Sequence, residues 1–365
     1  MEKNRRVVMT IKKFLKTLVD ADASDLFLRA GGIPRIRVSG KVIPLDGPEL
    51  TVEDVMQMAE EITTIKQREI FKNNLDVDFA IFLEEFKRRF RISLFMQRNW
   101  PSIVIRNVRS STQTFEDLNL PADVLKKLAL ERSGLILLTG SMGSGKSTTI
   151  ASMIEYINLN APKHILTLEE PIEFTFDDKK SIINQRELGI DVSSYNTALR
   201  AFTLQSPDVI YIANIRDAET MSAAMTAAET GVLVLSTLHT VNAPKTVERI
   251  VNFFPPHEHQ EIKNRLSSLL KGVISLRLLP RKDGAGRVPA YETMLLTPTI
   301  SRLIREGKVW EIAQYIDEGA IFGMQSFNQS LARLVREGKV SESDAVGFAD
   351  SKEEFDLVLK GIKKA

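Results

Sequence analysis

Two patterns of apolar and polar positions divide this chain. Over 11–19, Ile11, Phe14, Leu15 and Leu18 recur on one face of a 3.6-residue period, which predicts a helix. Short runs predict strands over 25–29, 35–39 and 42–45, with Gly31-Gly32 and Gly40 marking the turns. Thr51 ahead of Val52-Glu53-Asp54 is suited to cap a helix to about residue 62, because its hydroxyl can accept from the free N–H groups of a first turn. Three further strands fit 77–82, 88–97 and 102–107. The polar stretch Arg109-Ser110-Ser111-Thr112-Gln113 then interrupts the pattern. Beyond it the strands 135–139, 164–168, 209–212 and 232–237 are near-continuous apolar runs alternating with helical stretches. Strands without a polar face predict a parallel sheet covered on both sides. From about residue 290 the chain reads as mainly helical, punctuated by Gly307, Gly323 and Gly338. No internal repeat or low-complexity tract is visible. The reading is a small α+β domain over 1–109, a linker over 110–120 and an α/β domain over 121–365 ending in helices.

Composition narrows the classes without naming one. A chain of 365 residues can bury two cores of ordinary size, and 43% hydrophobic with 26% charged residues describes a soluble globular protein. The net charge of +2 gives no reason to expect nucleic acid as a partner. Of the basic clusters, Lys3-Asn4-Arg5-Arg6 reads as a frayed terminus, and Lys87-Arg88-Arg89 falls on a predicted strand. Met9 offers an alternative start. Without cysteine there are no disulfides or thiolate metal sites, which fits a reducing cytoplasm. No run of about 18 apolar residues predicts a transmembrane segment, and the N-terminus lacks the apolar stretch of a signal peptide.

One segment carries specific chemistry. Gly140-Ser141-Met142-Gly143-Ser144-Gly145-Lys146-Ser147 has the spacing of a phosphate-binding loop, and Thr148 follows on the helix it opens. The apolar strand 135–139 leads into it, and a helix over 147–158 leads out. Phosphate needs this arrangement because glycines let backbone N–H groups approach closely and a helix N-terminus adds positive potential. Lys146 would reach the β- and γ-phosphates, and Ser147 would ligate Mg2+. A bystander lysine in a glycine turn is the weaker reading, given the flanking strand and helix. After the next strand comes Glu169-Glu170-Pro171-Ile172-Glu173. Carboxylates at strand ends beside such a loop can hold magnesium or orient an attacking water, although surface acids are the plainer alternative.

These residues together resemble the PilT/PilU family of type IV pilus retraction ATPases, a branch of the secretion ATPases. The resemblance runs from Ser24-Asp25-Leu26 to Phe355 and includes 166–174, 184–187, Ala227-Ala228-Glu229-Thr230-Gly231 and Ser236-Thr237-Leu238-His239-Thr240. Leu303-Ile304-Arg305-Glu306 is similar to the end of a helical motif of the retraction members, and Gly323-Met324-Gln325-Ser326-Phe327 is closer to the PilU-like branch. The resemblance implies a PAS-like N-terminal domain on a RecA-like core. It also implies a homo-hexameric ring with ATP between protomers, acting in twitching motility from the cytoplasmic face of the inner membrane against a pilus platform protein. Arginines of the N-terminal domain would reach the phosphates. The matching positions are Arg89, Arg91 and Arg98, with Arg106 a further candidate, whereas each alone reads as a solvated strand residue.

Departures from the family are informative. Where it carries Gly-Glu before Ile/Met-Arg-Asp, this chain reads Ala213-Asn214-Ile215-Arg216-Asp217. Asn214 thus stands at the position of the catalytic glutamate. A carboxamide can orient water but cannot take its proton, and losing a positioned base costs about 10²–10⁴-fold in rate. Val232 replaces one of two family histidines, leaving His239 as a γ-phosphate sensor or a packed histidine. Leu204 and Leu276 replace a customary arginine and glutamine. Four changes around the nucleotide point to altered catalysis, while Glu169 and Glu173 remain, with Glu173 at the family's other catalytic carboxylate. The expectation is an ATP-binding protein of the retraction machinery with weakened hydrolysis, associating with an active retraction ATPase paralogue. A fully active hexameric motor is the alternative, and a P-loop kinase lacks any recognisable acceptor site.

Overall fold

The computed structural model describes residues 10–38, 40–108, 112–202, 204–284 and 286–362. Lys3–Arg6, Met9, the end of the predicted strand at Ser39 and the polar stretch 109–111 lie outside them. Among the described residues no helix is long and apolar enough to cross a membrane. The chain divides into two compact units, one of residues up to 111 together with Glu173–Thr175, the other of 112–172 and 176 onward.

The first unit is built on an antiparallel sheet. Its strands are β1 Asp25–Arg29, β2 Arg35–Val38, β3 Lys41–Pro44, β4 Asp76–Leu83, β5 Arg88–Gln97 and β6 Trp100–Asn107, in the order β3-β2-β1-β6-β5-β4. Leu26, Leu28, Phe90, Ile92, Leu94, Ile103 and Ile105 alternate inward along them, and the helices Ile11–Asp20 and Val52–Ile62 supply Leu15, Leu18, Val55 and Met58 to the same core. Thr51 caps its helix as the sequence predicts, in a reciprocal box with Asp54. A helix over Ile65–Asn74 was not expected. Only Phe71 of it is buried, so it lacks an apolar stripe, but the Thr64–Gln67 capping box marks its start.

A mixed sheet forms the second unit. Its strands are β7 Gly134–Thr139, β8 His164–Glu169, β9 Ile182–Glu187, β10 Val209–Ile212, β11 Leu233–Leu238, β12 Leu270–Pro280 and β13 Arg287–Leu295. Their order is β13-β12-β7-β11-β10-β8-β9, parallel throughout except for the β12–β13 hairpin. The parallel sheet expected from the four apolar runs is present. Leu135, Leu137, Ile210 and Val234 face one core, and Ile136, Leu138, Tyr211 and Leu235 face the other. Residues 112–120, read as linker from their polar start, instead carry Phe115 and Leu120 into the second of these cores. Burial of two large apolar side chains outweighs the polarity of their neighbours.

Candidate functional site

Parallel strands present their C-terminal ends together, and here β7, β11, β10 and β8 end in Thr139, Leu238, Ile212 and Glu169. The loop 140–145 leaves β7 and leads into the helix Lys146–Asn160. Its first residue has φ 140°, and a Cβ there would lie 2.5 Å from both the Leu276 carbonyl and Ser144 Oγ, so only glycine fits. Gly143 and Gly145 are also left-handed, at φ 74° and 101°. Lys146 folds back over the loop and donates from Nζ to the carbonyls of Gly140 and Ser141, each at 2.8 Å. Ser144 Oγ is buried without a hydrogen-bond partner. An orphaned hydroxyl inside a glycine cradle suits a ligand rich in acceptors, so the loop fits a phosphate group.

Next to β7, β11 brings His239 level with Gly140, because Leu238 pairs with Thr139. Asn214 follows β10 with φ 57°, a left-handed conformation that asparagine tolerates better than most residues. Its backbone N–H donates to Thr237 Oγ1 at 3.0 Å. The carboxamide orientation that satisfies its neighbours donates from Nδ2 to His239 Nε2 at 3.2 Å and accepts from Arg216 Nε and Nη2 at 2.6 and 2.8 Å. Arg216 also faces Glu170 at 3.5 Å. Tyr195 donates its hydroxyl to the Ala213 carbonyl at 2.9 Å, bracing the Asn214 turn, and burial pushes its pKa up to about 12. Partial burial, then the charges of Lys146 and Arg216, hold His239 below its ordinary value, while a hydrogen bond to the Gly140 backbone opposes them. A neutral imidazole is what the Asn214 donor requires. A glutamate at 214 could only accept, and it would favour the protonated ring.

Other predicted site residues are distributed differently. Glu169 is 6% exposed at the end of β8, where it accepts from Thr167 Oγ1 at 2.7 Å and Gln185 Nε2 at 3.1 Å. Three strand spacings separate β8 from β7, so Glu169 stands about 14 Å from the loop's strand. Glu173 groups with the first unit, apart from the loop's own unit. There Arg89 and Arg91 share the face of β5 opposite Phe90 and Ile92. Arg98 sits in the two-residue turn closed by the Gln97–Trp100 pair, where φ is 49° at Arg98 and 63° at Asn99. At roughly 3.3 Å per residue it lies about 30 Å along the strand from Arg89, so these arginines do not converge. Arg106 is committed to buried Asp25 at 3.0 Å, alongside Arg37.

The four departures do not gather around the loop, contrary to expectation. Val232 precedes β11 at the end that pairs with Gly134, about 20 Å from His239 by the rise of the strand. It lines an open groove with Leu199, Phe202 and Pro207. Leu204 lies before β10 at this same end, 87% exposed. The Leu276 side chain is buried in the core, and only its carbonyl meets the loop. Asn214 alone of the four places its side chain among the loop's neighbours. Sequence reasoning missed Arg216 and Thr237 as partners of Asn214, Tyr195 as the brace of its turn, and Gln185 as a donor to Glu169. Arg216, two residues beyond Asn214, was the one discoverable signal.

Comparison with known proteins bears on the family and the fold. The family described as Type II/IV secretion system protein matches residues 1–285. The chain is 39% identical over 352 residues to the type IV pilus ATPase PilU of Pseudomonas aeruginosa, spanning 96% of this chain and 92% of that protein. With the type IV pilus retraction ATPase PilT of the same organism it shares 41% over 347 residues, 95% of this chain and all of the other. The crystal structure of the pilus retraction motor PilT with bound ADP matches with a TM-score of 0.87 at 41% identity, over 95% of this chain and 98% of that one. That likeness supports the expected α/β fold with its RecA-like core and a smaller N-terminal domain. On both sequence and fold, the chain belongs to the Type II/IV secretion system protein family, in its PilT/PilU-like pilus retraction branch.

Proposed function

We propose that this chain binds ATP at the 140–148 loop and serves the type IV pilus retraction machinery, with hydrolysis weakened at Asn214. The observation that carries the reading is the loop itself, a glycine cradle with one buried lysine already turned toward its carbonyls. In this role the backbone of 140–145 wraps the phosphates, Lys146 neutralises them, and Ser147 with Thr148 opens the helix beneath. Mg2+ held at Ser147 would supply Lewis-acid neutralisation of the phosphate oxygens. His239, kept neutral, senses the phosphate end of the substrate. Arg89, Arg91 and Arg98 serve as phosphate-facing groups from the smaller domain, and the roughly 30 Å between Arg89 and Arg98 means that they serve different places.

Asn214 supports the weakened-hydrolysis reading. Its amide is engaged with His239 and Arg216, and it has no basicity with which to take a proton from water. Glu173 and buried Glu169 are the carboxylates left for orienting a nucleophile. By analogy with its relatives the chain acts as a homo-hexamer in the cytoplasm at the inner-membrane pilus base, against a platform protein and beside an active paralogue. Binding and turnover measured together on the purified protein test the reading. Tight nucleotide binding with slow hydrolysis is expected, and hydrolysis at ordinary PilT rates would return the chain to the fully active motors.

A further inference from the structure

Among the described residues, Glu187 and Glu292 are buried carboxylates of the second unit that none of these roles uses, and Glu292 is the one linked to the loop. Glu292 on β13 is 6% exposed. Its Oε1 accepts from the backbone N–H of Ala243 at 2.6 Å and from the Ser275 hydroxyl on β12 at 3.4 Å. Ser275 accepts in turn from the hydroxyl of Thr139 at 2.9 Å. Thr139 pairs with Ser275 and Ser275 with Glu292, so the three side chains form a row across adjacent strands. Thr139 immediately precedes Gly140. Ala243 opens the helix Ala243–Val251, four residues after His239. One buried carboxylate therefore contacts the segment after His239 directly, at Ala243, and reaches the residue before the phosphate loop through Ser275.

We propose that Glu292 is a positioning residue for the nucleotide site, holding the loop through Ser275–Thr139 and the His239 turn through Ala243, so that its charge state sets nucleotide affinity. The inference rests on the reading that the loop binds nucleotide. An ionised carboxylate only accepts, which fixes the direction of the row from Thr139 to Ser275 to Glu292. It also faces the positive end of the 243–251 helix. Protonation removes both effects. The charged groups facing it are Asp350 and Arg277, which pair with each other at 2.6 Å, and Arg277 also donates to the Phe348 carbonyl at 2.6 Å. Burial is the largest influence on Glu292 and, with Asp350, pushes its pKa up to about 7 against Ala243, Arg277 and Ser275.

The test titrates the full chain with a fluorescent ADP analogue and magnesium from about pH 6 to 8.5, comparing wild type, Glu292→Gln and Ser275→Ala. Titration of His239 and of the nucleotide cancels in the ratio of wild-type to variant affinity. That ratio is expected to rise about five-fold or more across the range for Glu292→Gln. Its midpoint should lie near 7. Ser275→Ala, which keeps the bond to Ala243, is expected to lose a large part of the same dependence, and it tests the row even if the glutamine variant fails to fold. A constant ratio for Glu292→Gln overturns the proposal, as does a Ser275→Ala profile superimposable on wild type. A wild type that binds no nucleotide at any pH removes the loop's assigned role and the inference with it.

Discussion

At one end of the seven-stranded sheet the strands run out into a glycine loop, a buried lysine and a hydrogen-bonded histidine, asparagine and arginine. At the other end the same strands begin beside an apolar groove lined by Leu199, Phe202 and Val232. The positions read from the sequence as departures from the family fall at both ends, and they differ in kind. Asn214, expected from the resemblance to stand where a carboxylate belongs, carries a carboxamide that can donate as well as accept, among groups that surround the loop. Val232 and Leu204, read as apolar residues in place of polar ones, lie at the opposite end, about 20 Å away. Of these positions, Asn214 alone places its side chain beside the proposed nucleotide loop.

The largest break in this comparison is expected from Lys146→Ala. Losing a charged donor aimed at phosphate should weaken nucleotide binding by about 100-fold, or about 3 kcal/mol, in a calorimetric titration. Unchanged affinity would remove the loop's assigned role. Similar in size is a pH effect on stability at Glu292. Its folded pKa of about 7 stands above the ordinary 4.5, so folding takes up a proton between those values. The stabilisation is therefore complete below 4.5 and lost as pH rises through 7, by about 3 kcal/mol. Denaturant unfolding of wild type against Glu292→Gln should show that slope in the wild type and lose it in the variant.

Smaller effects sharpen the contrast between the two ends. Asn214→Glu is expected to raise steady-state hydrolysis about tenfold. It should also lift the pKa of His239, visible by NMR, since the glutamate accepts where the amide donated. Unchanged turnover would mean that the lost base is not what limits the reaction. Val232→His in the same assay is expected to change turnover by less than about twofold, consistent with independence of distant sites. A larger change would put the groove end of the sheet in contact with the chemistry. Smallest of all, Leu204→Arg should shift stability by less than about 0.5 kcal/mol, because the side chain is 87% exposed.

What was legible followed from how local each signal is. The strands of the parallel sheet are continuous apolar runs, and the loop is one uninterrupted motif, so both could be read directly. Edge strand β9 went unread because its burial is mixed, and the β12–β13 hairpin because buried polar residues such as Ser275, Glu292 and Thr293 interrupt its apolar runs. Likewise, the helix Ile65–Asn74 buries only Phe71, and its capping box was the sole cue.

Local order along the chain by itself determined the phosphate loop with its flanking strand and helix. Tertiary structure alone decided which of these positions lie near the loop, because strand direction puts Val232 and His239 at opposite ends of one strand. It also decided that Glu292, 152 positions after Gly140, lies two strands from the loop. The physical reason is register: hydrogen bonding between strands sets residues distant in the chain side by side, and no spacing within the sequence encodes which ones meet.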